Sequence, residues 1–439
     1  MDADPLRITP FGRFRASLTP PGSKSLTNRA LLLAALADGT STITNTLDAD
    51  DTRVMVEALR TLGVAMEHGD AVGALSIEGG AGRFVSGGRI DIHNAGTAAR
   101  FLAAAATRAI EPVEIDGVPR MRHRPIGELV DALAQLGASI EYLGEPGFPP
   151  LRIHPTDLIG GELELGETQS SQFISALLHI GPFCEEGLTI RSTAPRLTSP
   201  TYVAMTLGLM DRFGARISAD ADLRRIRVEP GGYKATKYTV EPDATSATYW
   251  LALAALHPGA VLTIEGLGKG SLQGDAGFAD VLARMGAGLT FGRDFITVIG
   301  AETQLAGLDV DLSAMPDAAM TLAVVAAFAR GESVIRGLRT LRYKETDRLG
   351  ALENELTKLG AQVEIEDDEV LVIEPDGDAR DRTDKVTIAT YDDHRMAMSF
   401  AIAGTVREGV SIADPGCVEK TYPGFWNDLD RVRSTASDS

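Results

Sequence analysis

The chain has 439 residues, 44% hydrophobic and 23% charged, with a formal net charge of −19. That length and balance suit a globular protein of two or more domains with sizeable cores, and so negative a chain is excluded as a general binder of nucleic acid or anionic membrane. Cys184 and Cys417 are the only cysteines, too few for a disulfide framework or a cysteine-based zinc site, and a reducing cytoplasmic setting fits. The start, Met1-Asp2-Ala3-Asp4, has neither the basic region nor the apolar core of a signal peptide. Apolar runs such as Ala318–Ala329 are too short to span a bilayer.

The first element signalled is a helix after Pro21-Gly22-Ser23-Lys24-Ser25-Leu26-Thr27-Asn28-Arg29, where a Pro-Gly turn and three hydroxyls precede the apolar run Ala30 to Ala37. Ser23, Ser25 or Thr27 can cap it. Free N–H groups at a helix start attract anions, and Lys24 and Arg29, about 1.5 turns apart, can reach one anion together. The same stretch alone reads first as a capped surface helix with two solvated cations, and its spacing is not that of the Gly-Lys-Ser/Thr phosphate loop.

Further helices open on a small polar residue or a proline and then turn apolar. Asn94-Ala95-Gly96-Thr97 precedes Ala98–Thr107, Ser170-Ser171-Gln172 precedes Phe173–Ile180, and Ser199-Pro200 precedes Thr201–Met210. Pro242-Asp243 precedes Ala244–Leu256, Pro316-Asp317 precedes Ala318–Ala329, and Asp392-Asp393 precedes His394–Ala403. These are start signals, and helices apolar almost all round are buried ones. If the starts converge, their positive dipole ends explain how so acidic a chain can bind anions.

A second pattern sets the organisation. Leu62-Gly63-Val64, Leu136-Gly137-Ala138, Phe213-Gly214-Ala215, Met285-Gly286-Ala287 and Leu359-Gly360-Ala361 each close a helical pattern on glycine. Strand pairs come next, such as Ala138–Tyr142 with Leu151–His154, Ala215–Ser218 with Arg225–Glu229, and Gln362–Glu366 with Glu369–Glu374. The glycines recur roughly every 74 residues and a matching helix lies near Phe425–Leu429, so the chain reads as six copies of one α/β unit. The small polar residues after Arg433 predict a disordered tail.

Charged motifs stand beside these starts. Pro119-Arg120-Met121-Arg122-His123-Arg124-Pro125 reads as a basic loop or strand end. In Tyr343-Lys344-Glu345-Thr346-Asp347-Arg348 helical spacing puts Lys344 and Arg348 on one face and pairs Glu345 with Arg348. Asp393-His394-Arg395 opens another helix, where Met396 and Met398 read as core. Each motif alone also reads as a solvated or packing element. Together, with Lys24, Arg29 and Arg100, they place cations beside helix starts in at least four repeats, with Asp317 and Glu345 among them. Carboxylates repel an anion, so a plain phosphate trap has no use for them; proton transfer does.

At these residues the chain resembles the enolpyruvyl transferases over nearly its whole length. The matching blocks run from Pro21 through Arg29, Asn94 through Arg100, Arg124 through Gly127, Ser170 through Phe173, Pro316 through Met320, Lys344 through Arg348, Asp393 through Met398, and Lys420 through Pro423. The resemblance implies an α/β fold of two domains with three repeats each, residues 1–22 plus 243–439 as one domain and 23–242 as the other. The active site would lie in the cleft between them and be assembled by closure.

It further implies transfer of the enolpyruvyl group of phosphoenolpyruvate to the 5-hydroxyl of shikimate 3-phosphate, with release of phosphate and without metal or organic cofactor. Those two small molecules would be the only partners of a cytoplasmic monomer, with no nucleic acid and no membrane. By motif, Asp317 would hold the shikimate hydroxyls and accept the 5-hydroxyl proton, and Glu345 and Lys24 would form the proton-transfer pair for the vinyl carbon and the leaving phosphate, in either order. Lys24, Ser25, Arg29, Ser170, Ser171, Gln172, Ser199, Tyr202, Asp317, Thr340 and Lys344 would bind shikimate 3-phosphate. Lys24, Asn94, Gly96, Arg124, Gln172, Arg348, Arg395 and Lys420 would hold phosphoenolpyruvate, with backbone approaching closely at Asn94 and Gly96. His394 would be a positioning residue. Thr340 stands where the family usually has Asn, and Phe101 where it usually has Pro; Gly96 leaves room for the inhibitor glyphosate.

The sister activity on UDP-N-acetylglucosamine usually carries Lys-Asn where this chain has Lys24-Ser25, and a cysteine in the loop that here holds Arg120–Arg124. A non-catalytic anion-binding protein on the same scaffold would keep the cations and lose the carboxylates, whereas Asp317 and Glu345 are both present.

Overall fold

The computed structural model describes residues 4–69 and 71–436; the first three residues and the last three of the expected tail lie outside them. Of that tail, Ser434 and Thr435 form a turn and Ala436 bridges to Phe14, so it is ordered at least that far. The chain forms two compact units, a continuous one (Gly22–Glu241) and a split one (Met1–Pro21 with Pro242–Ser439).

Each unit carries three sheets among the described residues, and one pairing pattern recurs. Gly88–Asp91 runs parallel to Val113–Asp116, which pairs antiparallel with Leu151–His154, which pairs antiparallel with Ser139–Tyr142. The same order joins Gly161–Leu165, Leu188–Ser192, Arg225–Val228 and Ile217–Ala219. In the split unit it joins Asp309–Asp311, Ser333–Arg336, Val370–Glu374 and Gln362–Glu366. The last sheet is shorter: Val386–Ile388 lies parallel to Val410–Ile412, and Leu6–Arg7 from the start of the chain supplies the antiparallel partner. Strand alternation explains the register. Leu151 and Ile153 are buried while Arg152 and His154 are only partly so, hence one face meets the core and the other water.

The apolar helices lie inside. Every residue of Ala244–Leu256 and of Ala319–Ala326 is buried. In the split unit Thr248, near the start of one such helix, bonds Thr321 of the next at 3.1 Å, and Thr321 bonds Ser399 of the His394–Val406 helix at 3.3 Å. Three buried helices therefore meet through hydroxyls that satisfy one another, which is the condition for burying them. The amphipathic helices, such as Arg348–Lys358, bury one face only.

The five glycines that close the amphipathic helical patterns all have positive φ, between 80° at Gly214 and 114° at Gly286. A helix ends cleanly where one residue adopts the left-handed region and sends the chain into a strand. At Gly137, φ is +101° and a Cβ would meet nothing within 4 Å, so only backbone conformation opposes a side chain. Gly137→Ala is expected to lower stability by about 1–2 kcal/mol; an unchanged urea midpoint would show that the backbone relaxes there at no cost.

Candidate active site

In the split unit the site begins with a helix that starts later than its spacing predicts. Asp347 caps Arg348–Lys358, accepting from Gly350 N at 3.3 Å. Lys344 and Glu345 therefore precede the helix, and the expectation that Lys344 and Arg348 share a helical face is overturned, because the cap residue needs extended backbone just where that face would run. The side chains still meet. Arg348 is 1% exposed and donates to Glu345 Oε2 at 2.9 Å, to Asp317 Oδ1 at 3.0 Å, and to Asp393 through Nε at 2.7 Å and Nη2 at 3.2 Å.

Asp317 sits in the short 3₁₀ turn Pro316–Ala318, ahead of Ala319–Ala326. Besides Arg348 it faces Lys344 Nζ at 3.4 Å and Arg395 Nη2 at 3.1 Å. Arg395, second residue of the His394–Val406 helix, also donates to Tyr249 Oη at 3.1 Å. Burial works against the Asp317 charge, yet Lys344, Arg395 and Arg348 outweigh it and hold this carboxyl well below the usual range. Burial likewise works against Arg348, and Asp393, Glu345 and Asp317 together raise its pKa instead.

Around this network stand groups of less obvious use. Asp275 is buried, accepts from Thr245 Oγ1 at 3.1 Å, and is pushed up to about 6 by burial first and by the Asp317 charge next. The buried Oγ1 of Thr340, in the turn Arg339–Tyr343, has no hydrogen-bond partner in the structure. His394 is fully buried, its Nδ1 3.8 Å from Asp393 Oδ1. Lys420 closes the turn Pro415–Lys420, near enough to Asp392 to oppose the burial that raises that carboxyl.

In the continuous unit Ser23 is the cap of Lys24–Leu36, accepting from Leu26 N at 3.4 Å. Lys24 is no solvated cation: Nζ lies 3.0 Å from Asp51 Oδ2, with side-chain exposures of 12% and 4%. Arg29 does not stand beside it as a second free charge. It is buried and donates to Thr206 Oγ1 at 2.8 Å, to Ser175 Oγ at 3.3 Å, and to the carbonyls of Ser25 and Tyr202 at 3.0 and 3.3 Å. Burial pulls its pKa down to about 10, with Tyr202 opposing. Phe101, in the place of the family's usual Pro, packs between the Arg29 guanidinium at 5.1 Å and the His179 ring at 4.5 Å.

Arg124 follows the 3₁₀ turn Met121–His123 and is buried, donating to Asn94 O at 3.0 Å and Asn94 Oδ1 at 3.2 Å. Its guanidinium lies where a Cβ on Gly96 would be, in direct overlap with that position; the space at Gly96 is thus filled by the protein's own arginine. Gln172 Nε2 reaches Thr97 Oγ1 at 3.2 Å, joining the starts of the helices Ser171–Ile180 and Gly96–Ala105. Arg100 turns inward onto the Gly96 and Pro125 carbonyls, at 3.3 and 2.5 Å. Arg122 keeps to the surface and grips Asp116 at 2.9 and 2.8 Å. Ser170 caps its helix through Gln172 N, Ser171 is its first residue, and Ser199 stands in left-handed backbone ahead of Pro200–Arg212, the helix that carries Tyr202.

The structure thus links Asp317, Lys344, Glu345, Arg348 and Arg395 in one unit, and in the other joins Asn94 and Gly96 to Arg124, and Gln172 to the same helix start. Asp51, Tyr249 and Asp275 escape a reading by spacing, and so does the pairing of Asp393, read only as a helix start, with Arg348. Asp51 sits in an acidic helix opening that looks like an ordinary dipole preference, and its partner Lys24 is 27 residues away. Alternating cations and carboxylates suit the work of binding anions while moving a proton. Among the described residues no cluster of three His, Cys, Asp or Glu is placed to hold a metal ion, and no helix is long and apolar enough to cross a membrane.

The sequence profile of EPSP synthase (3-phosphoshikimate 1-carboxyvinyltransferase) matches residues 8–429. The 3-phosphoshikimate 1-carboxyvinyltransferase of Histophilus somni (strain 2336) is 43% identical over 434 residues, 97% of this chain and 98% of that protein. That of Mannheimia haemolytica is 44% identical over 435 residues, 97% of this chain and 99% of the relative. The solved EPSP synthase from Acinetobacter baumannii superposes with a TM-score of 0.80 at 26% identity, over 98% of each chain. The enolpyruvyl transferase NikO from Streptomyces tendae shares the fold at 18% identity and a TM-score of 0.74, over 98% of this chain and 97% of that one.

The raised Asp275 carboxyl gives a test of the network's electrostatics. Between the ordinary value of 3.8 and about 6 the folded protein holds more proton than the unfolded chain, so stability falls as pH rises through that window and stays lowered above it. Asp275→Asn keeps an acceptor for Thr245 and removes the charge. It is expected to stabilise by up to about 3 kcal/mol near pH 7.5 and by little near pH 4; equal shifts in thermal midpoint at both pH values would refute this.

Proposed function

From the premise that the chain belongs to the EPSP synthase family, we propose how its residues divide the labour of the family's reaction. The protein is a transferase of the shikimate pathway that moves the enolpyruvyl group of phosphoenolpyruvate to shikimate 3-phosphate. The 5-hydroxyl oxygen adds to C2 of phosphoenolpyruvate as C3 gains a proton; C3 then loses a proton, the C2–phosphate bond breaks and phosphate leaves. The chemistry asks for a base at the hydroxyl, an acid at C3, and cations for two phosphates and a carboxylate.

The observation that carries the assignment is Asp317 in contact with Lys344, Arg348 and Arg395 at once. A carboxylate so surrounded is a weak base. The phosphate and carboxylate of phosphoenolpyruvate compete for the same cations, so their arrival weakens that hold and raises the basicity of Asp317 as the substrates meet. Asp317 then takes the 5-hydroxyl proton and Lys344 serves shikimate 3-phosphate. Arg348, Arg395 and Lys420 hold phosphoenolpyruvate. Glu345, on Arg348 at 2.9 Å, and Lys24, on Asp51 at 3.0 Å, serve the proton transfers at C3 and at the leaving phosphate. Thr340, with its unpartnered hydroxyl, meets a shikimate hydroxyl.

In the continuous unit Arg124 and Gln172 bind phosphoenolpyruvate, with Asn94 and Gly96 shaping the Arg124 seat. Ser25, Ser170, Ser171, Ser199 and Tyr202 contact shikimate 3-phosphate. Arg29, whose donors already meet protein acceptors, serves it from beneath by fixing the Ser25 and Tyr202 backbone. The protein works as a cytoplasmic monomer.

A phosphate-release assay with phosphoenolpyruvate tests the acceptor: turnover is expected with shikimate 3-phosphate, and turnover with UDP-N-acetylglucosamine instead would overturn the reading. Glu345→Gln should slow turnover at least about 10²-fold, and a near-normal rate of phosphate release would remove Glu345 from the chemistry. Gly96→Ala drives a methyl into the Arg124 guanidinium. It should raise the KM for phosphoenolpyruvate by about tenfold or more while leaving that for shikimate 3-phosphate within about twofold; unchanged values for both would place Arg124 outside the site.

A further inference from the structure

We propose that Glu355 is a positioning residue for the ion network, fastening the loop that carries Asp393 to the helix that carries Arg348. The proposal rests on the reading that Arg348 and Arg395 hold phosphoenolpyruvate. Glu355 lies about two turns beyond Arg348 on the Arg348–Lys358 helix, and its side chain is fully buried. Its carboxylate accepts from Lys358 Nζ at 2.8 and 2.6 Å, from Tyr391 Oη at 2.8 Å and from Ala389 N at 3.0 Å. Lys358 also donates to Thr387 O at 3.3 Å. A buried carboxylate is tolerated only when its acceptor sites are filled, and here the donors come from the helix itself and from the strand end and loop that run to Tyr391.

The end of that loop is strained. Tyr391 and Asp392 are consecutive non-glycine residues in the left-handed region, at φ 55° and 56°, a conformation that persists only where the surroundings impose it. The turn closes through Asp393 N on Thr390 O at 2.9 Å. Asp393 then caps the His394–Val406 helix by accepting from Arg395 N at 2.9 Å, and receives Arg348. One helix therefore grips one loop at two points, Arg348 on Asp393 and Glu355 on Ala389 and Tyr391, with the strained pair at the junction. Without the second grip the strained pair relaxes and the Asp393 carboxylate moves relative to Arg348 and to the Arg395 backbone.

The clasp can be loosened from outside. Tyr391 is 39% exposed and the Lys358 side chain 42% exposed, so Tyr391→Phe removes the phenol's hydrogen bond to Glu355 without opening a cavity. Glu355→Gln and Tyr391→Phe in the full-length protein would be assayed by phosphate release with each substrate varied in turn, beside the thermal midpoint. The expected result is a KM for phosphoenolpyruvate raised about fivefold in Tyr391→Phe and more in Glu355→Gln, with the KM for shikimate 3-phosphate within about twofold of the parent. A lowered midpoint with both KM values unchanged, or equal rises in both, would overturn the proposal by making Glu355 a fold residue only. If Glu355→Gln does not fold, Tyr391→Phe decides alone. Arg395→Lys, assayed alongside, separates the underlying reading: an unchanged KM for phosphoenolpyruvate there shows that Arg395 does not hold this substrate, and the proposal falls with it.

Discussion

A guanidinium taken almost wholly out of water is the constraint on which the site of the split unit depends. Arg348 is 1% exposed and is held by Asp393, Glu345 and Asp317. Burying a cation is unfavourable unless carboxylates surround it with good geometry, and removing one partner of such a set typically costs about 3–5 kcal/mol. Its value lies less in stability than in fixing positions. Asp393 meets Arg348 while it caps the His394–Val406 helix, and Asp317 does so from the turn that opens Ala319–Ala326. The network therefore ties the start of the amphipathic Arg348–Lys358 helix to the starts of two buried apolar ones.

The charges in that network nearly balance, and this shapes its chemistry. Lys344, Arg348 and Arg395 face Asp317, Glu345 and Asp393. In the proposed reaction an arriving anion does not find bare cations; it displaces carboxylates from them. That exchange couples binding to basicity, since a carboxylate released from its cations accepts a proton more readily. A chain of net charge −19 can in this way concentrate cations without a basic surface.

The continuous unit uses the same repeated scaffold differently. Where the split unit joins its buried helices through Thr248, Thr321 and Ser399, the continuous one inserts Arg29 among Ser175, Thr206 and two backbone carbonyls. Where the split unit surrounds a carboxylate with cations, the continuous one seats the Arg124 guanidinium in the space that a Cβ on Gly96 would take. One sheet pattern and one set of buried helices thus carry two chemically distinct clusters, because the helix starts vary while the cores do not.

The repeats, the buried helices and most caps are legible in the chain because they are local. Glycine at the close of each amphipathic pattern demands positive φ, Asp243 and Asp393 cap the apolar helices directly after them, and alternation fixes Leu151 and Ile153 inward. The motifs also mark Asp317, Glu345, Arg348 and Arg124 as functional by resemblance. Their partners are another matter. Whether Lys344 and Glu345 lie on a helix depended on the cap at Asp347, and the loop brought them to Arg348 and Asp317 regardless. Asp51 on Lys24, Asp393 on Arg348 and Glu355 on Tyr391 join residues 27, 45 and 36 positions apart. Such pairs arise from how helices pack and loops turn, which no window of sequence contains. The chain by itself determined which cations and carboxylates exist beside which helix starts; only the tertiary structure decided which of them share a proton donor or a charge, because electrostatic partnership depends on separation in space and on exclusion of water, and both arise from packing.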